Sequence, residues 1–161
     1  LELGVEEDLT AELKPRPSYD DDYYALTQNQ AKQLRAQGRL RQNEPLDWKL
    51  LAEEVQDLGR SELHTCQSLT DQIIAHLLKL EFSMATEPRS SREEEVAACR
   101  IGLRRHLTPT IKRKIMSALG QHYANAMELV TPSFHADEPE RLALLPETCP
   151  YRFDQIQGSD R

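Results

Sequence analysis

From Trp48 onward, apolar residues return every three or four positions: Trp48, Leu51, Val55 and Leu58, then Leu63, Cys66, Leu69, Ile73, Leu77 and Leu80. That spacing puts them on one stripe of an α-helix. Asp47, after Pro45-Leu46, has the short acceptor side chain that satisfies free amides at a helix start. Gly59 either ends this helix or lies within it, so residues 47–82 form one helix or two. Upstream, Leu26, Gln30, Ala31 and Leu34 predict a first helix over 24–37, stopped by Gly38. Downstream, Pro88 breaks the pattern. Ser91-Arg92-Glu93-Glu94 then has the form of a capping box for a helix through Val96, Cys99, Leu103 and Leu107. Thr108-Pro109, a cap followed by proline at the first helical position, opens a helix through Ile111, Ile115, Leu119, Tyr123, Ala126 and Val130 that Pro132 closes. Short helical turns are predicted near 138–145 and 151–157 in the remainder. No segment alternates with the period of a strand. The predicted fold is all-α, a small antiparallel helical bundle of about five main helices with an irregular Pro-rich C-terminal segment.

A chain of 161 residues suits one domain with its own core, here residues 19–161. Before it lies an acidic N-terminal arm, residues 1–18, where Glu2, Glu6, Glu7, Asp8 and Glu12 lead into Lys14-Pro15-Arg16-Pro17-Ser18. Cys66, Cys99 and Cys149 are far apart and form no CxxC pair, which suggests neither a disulfide framework nor a zinc knuckle. Cys66 and Cys99 fall on apolar stripes and read as small core residues. No apolar run approaches a membrane span of about 20 residues, and no signal-peptide layout is visible. The expectation is a cytoplasmic protein with no membrane partner.

Charge changes this picture. The net charge is −7, yet Val96 to Met127 contains no acidic residue and holds Arg100, Arg104, Arg105, Lys112, Arg113 and Lys114. Lys32, Arg35, Arg39 and Arg41 form a second acid-free basic stretch. Segregated charge implies a surface with a preferred partner. The six residues from Arg100 to Lys114 are therefore the candidate partner-binding set. A protein partner or self-association is favoured. Nucleic acid is the alternative, weakened by overall acidity and by the lack of interleaved aromatics for stacking.

Candidate chemistry is sparse. Glu54, three residues after Leu51 and four before Leu58, flanks the apolar stripe and is expected to point inward, whereas Glu53 and Asp57 lie on the outer face with Lys49. His76 sits three residues after Ile73 and four before Leu80. Together Glu54 and His76 are the candidate buried polar site, and a metal-dependent or acid–base enzyme centred on them is a further alternative. They meet only if the chain turns back at Gly59. No metal-ligand spacing, nucleophile motif or phosphate-cradling loop occurs, so no metal and no cofactor is predicted. Asp20-Asp21-Asp22 reads as a solvated helix start. The favoured function is a non-enzymatic protein-interaction or regulatory module.

Several phrases together resemble a known family. They are Tyr19-Asp20-Asp21-Asp22-Tyr23-Tyr24, Leu46-Asp47-Trp48-Lys49-Leu50-Leu51-Ala52-Glu53-Glu54-Val55, Leu58-Gly59-Arg60-Ser61-Glu62, His76-Leu77-Leu78-Lys79 and Pro146-Glu147-Thr148-Cys149-Pro150-Tyr151. The set is similar to the bacterial family catalogued as domain of unknown function number twenty-nine, from about Tyr19 to Gln157. The resemblance implies an all-helical fold and carries no activity. Two positions depart from the family pattern, which usually has tryptophan where this chain has Leu26 and near the run Glu93-Glu94-Glu95.

Overall fold

Asp47 opens the longest helix as its side chain predicts, its carboxylate accepting the Leu50 amide hydrogen at 2.9 Å. The computed structural model describes residues 16–41, 43–85 and 89–159, so the acidic arm lies outside the described residues except for Arg16, Pro17 and Ser18, as does the break at Pro88. The helices are α1 (Tyr23–Leu40), α2 (Trp48–Phe82), α3 (Arg89–His106), α4 (Pro109–Ser117), α5 (Leu119–Asp137) and α6 (Phe153–Gln157), with a 3₁₀ helix at Pro139–Leu144. No strand occurs among the described residues.

Gly59 does not end α2, whose 35 residues make one rod of about 52 Å. The glycine is there because α1 crosses at that point. A Cβ on Gly59 would stand 2.0 Å from Thr27 Oγ1. Gly38 likewise does not stop α1, since the Trp48 side chain fills the space where its Cβ would go, 2.6 Å away. Both glycines are sites of close approach, and helix propensity yields to packing there. Antiparallel α1 and the first half of α2 thus form a hairpin, tied by Gln28 to the Gln56 carbonyl at 3.2 Å and Arg35 to the Gln56 side chain at 2.6 Å.

Three other expectations are corrected. Helix α3 begins at Arg89, so Ser91 lies inside it and is no cap. The helix predicted to open at Thr108-Pro109 does so, with Thr108 capping Ile111, but it divides at Ala118. That residue turns the chain at φ −110° and ψ 19°, and its N–H bonds the carbonyls of both Lys114 and Ile115. Pro132 does not close α5, which continues to Asp137. Proline removes one amide donor. Pro132 and Glu128, whose carbonyl loses that donor, lie on the exposed side of the helix, while Phe134 in the last turns is buried.

The core lies around the second half of α2. Ile73, Ile74 and Leu78 pack with Leu103 of α3, Ile111 and Ile115 of α4, Val130 of α5 and Ile156 of α6, all fully buried. Each such side chain contributes about 1.5–3 kcal/mol relative to exposure. Helix α6 is only five residues long but belongs to this core through Phe153 and Ile156. The connection before it is anchored by buried Leu145 and by the Tyr123 hydroxyl, which donates to the Pro146 carbonyl. Among the described residues, no helix is long and apolar enough to cross a membrane.

Candidate functional site

Because α2 is continuous, Glu54 and His76 are separated by about 33 Å of helix and do not meet. Glu54 is exposed, as are Glu53 and Asp57. The expected inward orientation is corrected for a simple reason. Helix α1 covers the face of Ala52 and Gly59, and the stripe beside Glu54 stays open, with Leu51 and Leu58 both exposed. His76 is half-buried, with Nε2 3.1 Å from Glu95 on α3 and a buried Nδ1 that has no partner. Burial pushes its pKa below the usual histidine value, helped by Lys79 and Arg92 and opposed by Glu95. Among the described residues no cluster of His, Cys, Asp and Glu is placed to hold a metal ion.

Two further histidine–carboxylate pairs use the same helix. Glu62 meets His106 of α3 at 2.6 Å, and Asp71 meets buried His122 of α5 at 2.6 Å while also accepting from Asn125 at 3.0 Å. The partners are 44 to 54 residues apart, so local spacing carries no signal of them. Carboxylate-oriented imidazole is the geometry of a general base. Here His122 is buried and Asp71 half-buried. The Glu62–His106 pair faces a cavity of ≈ 310 Å³ shared with Tyr19, Asp20, Asp21 and Thr108. The Thr108 oxygen is already engaged by the Ile111 amide. All three pairs act as polar cross-links that fix α3 and α5 on α2.

Asp22 is not part of a solvated start. It is buried, and its two oxygens accept from the amides of Ala25 at 2.9 Å and Thr110 at 2.8 Å, so one carboxylate caps α1 and the first turn of α4. Burial alone raises its pKa, but hydrogen bonds from Ala25, Thr110 and Thr108 outweigh that and hold it below the ordinary 3.8.

The basic stretch is largely occupied within the chain. Arg100 donates to the carbonyls of Ile156 at 3.1 Å and Gln155 at 2.5 Å, and Arg104 donates to Gln157 at 3.2 Å. These are the free carbonyls at the end of α6, where cations are favourable. Lys112 lies 5.3 Å from the Phe153 ring centroid and Lys114 5.6 Å from that of Tyr24. Arg113 reaches the Thr110 hydroxyl at 3.1 Å, and Arg105 is exposed. The fold does bring Arg100, Arg104 and Lys112 together, but around α6.

What remains open is the hairpin. Of eleven large apolar residues exposed among the described residues, five are Leu40, Leu46, Leu50, Leu51 and Leu58. Leu51, Val55 and Leu58 share one side of α2 by helical spacing. On α1, Lys32, Arg35 and Arg39 occupy the flank that reaches Gln56, and half-buried Leu26 and Leu34 lie on the other with Gln30 and Gln37. The hairpin therefore presents one apolar, nearly neutral face and one basic flank.

The family model described as Domain of unknown function DUF29 matches residues 18–160. The chain belongs to the DUF29 family. A crystal structure described as an alpha-helical protein of unknown function from Rhodospirillum rubrum is similar, with a TM-score of 0.74 and 27% identity over 89% of this chain and 91% of that one. No curated protein matches the chain. In this DUF29 protein the phrases that carry the resemblance hold structural positions: the Asp22 double cap, the Asp47 cap, Gly59 at the helix crossing and Glu62 on His106.

Proposed function

We propose that this DUF29 chain is a cytoplasmic, non-enzymatic protein-interaction module that self-associates through its α1–α2 hairpin. Exposed Leu51 and Leu58, beside half-buried Leu26, Leu34 and Val55, carry the reading, because monomers rarely leave a contiguous apolar face uncovered. A second copy fits it for two reasons. Across a twofold axis the same patch meets itself, so a patch of one charge sign would repel its copy; the face of Leu26, Leu34, Leu51, Val55 and Leu58 carries glutamines, with Glu54 at its edge and Glu62, held by His106, at its end. Two helical hairpins pressed together also complete a four-helix bundle. With α1 about 27 Å long, such a face offers several hundred square ångströms, the scale of one side of a standard interface. Three unpaired cysteines support the cytoplasmic assignment. The nucleic-acid alternative is weakened by Arg100, Arg104 and Lys112 being engaged on α6.

Sedimentation equilibrium tests this. The unaltered chain is expected to reach a dimer at micromolar concentration, and Leu51→Glu with Leu58→Glu to remain monomeric with unchanged circular dichroism. A chain that stays monomeric at high micromolar concentration refutes the proposal.

A further inference from the structure

The tip of the hairpin holds a pocket that the apolar face does not use. Its walls are Arg35, Arg39, Arg41, Lys49, Trp48 and Leu46, around a volume of ≈ 490 Å³. That lies within the range of small-molecule sites, about 300–1,000 Å³. Four cations stand against one lining carboxylate, Asp47, which is engaged as the cap of α2. Arg35 bonds the neutral Gln56 side chain, leaving its charge uncompensated. Arg39 and Lys49 form no ion pair among the described residues. Arg41 does pair with Glu44 at 3.3 Å, but both are well exposed and such pairs are weak.

The other wall is apolar and aromatic. Leu46 is exposed, and the guanidinium of Arg41 lies 5.9 Å from the Trp48 ring centroid. The indole N–H is buried and has no acceptor. Guanidinium groups fork onto phosphate oxygens, and aromatic faces receive planar groups. A concave site with excess positive charge beside an apolar wall concentrates anions.

We infer that this pocket binds an organic phosphate, with the phosphate among Arg35, Arg39, Arg41 and Lys49 and the planar or apolar part against Trp48 and Leu46. The pocket lies on the basic flank of α1, away from the leucine face, so the inference is independent of self-association. Trp48 is the single tryptophan of the chain, which makes its fluorescence a local reporter. The experiment titrates the full chain with ATP, pyrophosphate and adenosine at low salt, by Trp48 fluorescence and by calorimetry in parallel.

ATP is expected to give a saturable response, pyrophosphate a weaker one and adenosine none. Added KCl should lower the ATP affinity, because partly exposed charges are screened. Arg39→Gln with Lys49→Gln should reduce it by about tenfold or more, the scale of losing charge-assisted hydrogen bonds. Arg105→Gln with Arg113→Gln, cations outside the pocket, should leave it unchanged. No saturable ATP response, adenosine binding as well as ATP, or affinity indifferent to KCl overturns the inference. So does an undiminished affinity in the Arg39→Gln, Lys49→Gln variant, or loss of affinity in the Arg105→Gln, Arg113→Gln control. Pyrophosphate binding as tightly as ATP overturns the role given to Trp48 and Leu46.

Discussion

One helix runs through two different environments. Between Trp48 and Gly59, α2 buries only Ala52 and Gly59, whereas between Cys66 and Leu78 it buries Cys66, Thr70, Ile73, Ile74, Ala75 and Leu78. The apolar spacing is similar in both halves. The difference is the number of neighbours, since α1 is what packs on Ala52 and Gly59 while α3, α4, α5 and α6 surround the stretch from Cys66 to Leu78. Periodicity shows that a face is apolar, and only the count of surrounding elements shows that it is covered. Small residues let α1 and α2 approach closely, which leaves the leucines at the sides of the contact.

The largest test of this contrast is truncation in each half. Ile74→Ala should destabilise the chain by about 2–5 kcal/mol, as for other deep cavities. Leu58→Ala, in the hairpin, should stay within about 0.5 kcal/mol for the monomer. Urea denaturation measures both, and comparable losses would erase the distinction.

A smaller effect is expected from overpacking the hairpin. Gly59→Val would drive a side chain into Thr27, at a cost of about 1–3 kcal/mol. Hydrogen exchange should show lost protection in α1 and in α2 up to Gly59, with α3 and α5 unaffected. Uniform loss would mean that hairpin and body unfold as one unit.

Asp22 joins the two regions, so Asp22→Ala should cost about 1–2 kcal/mol. Its folded pKa lies below the ordinary 3.8, so its contribution is complete above that value and is lost as pH falls through the folded value. Stability curves of wild type and Asp22→Ala should therefore converge in strong acid. A constant gap would remove ionised Asp22 from the account.

Thiol labelling gives the finest comparison and changes no stability. Burial first, and Glu62 second, push the Cys66 thiol up to about 12, so it should react only when the body opens. Cys99 and Cys149 are half-buried with thiols raised mainly by burial, and should react earlier. Timed mass spectrometry separates the three, and simultaneous labelling would indicate a loose core.

Part of the fold was legible because its causes are local. The Asp47 cap, the Thr108-Pro109 start and the stripe through Cys66 and Ile73 depend on residues within a turn or two of one another. Gly38 and Pro132 were misread as terminators, and Gly59 was left undecided between ending the helix and lying within it. Each acts through packing or exposure: a tryptophan against Gly38, a crossing helix at Gly59, solvent beside Pro132. The candidate site was less legible. Glu54 flanks an apolar stripe in sequence, but nothing in its neighbourhood tells whether that stripe is covered.

By itself, the sequence determined an all-helical chain, the helix starts at Asp47 and Thr108-Pro109, its apolar stripes and two acid-free basic stretches. Those follow from backbone capping and the 3.6-residue period. Tertiary structure alone decided that Arg100 and Arg104 hold the end of α6, that Asp71 meets His122, and that Leu51 and Leu58 stay exposed. These outcomes depend on which distant segments lie within a few ångströms of one another. That proximity is a property of the packed chain, because a helical period specifies direction around one axis and carries no distance to any other.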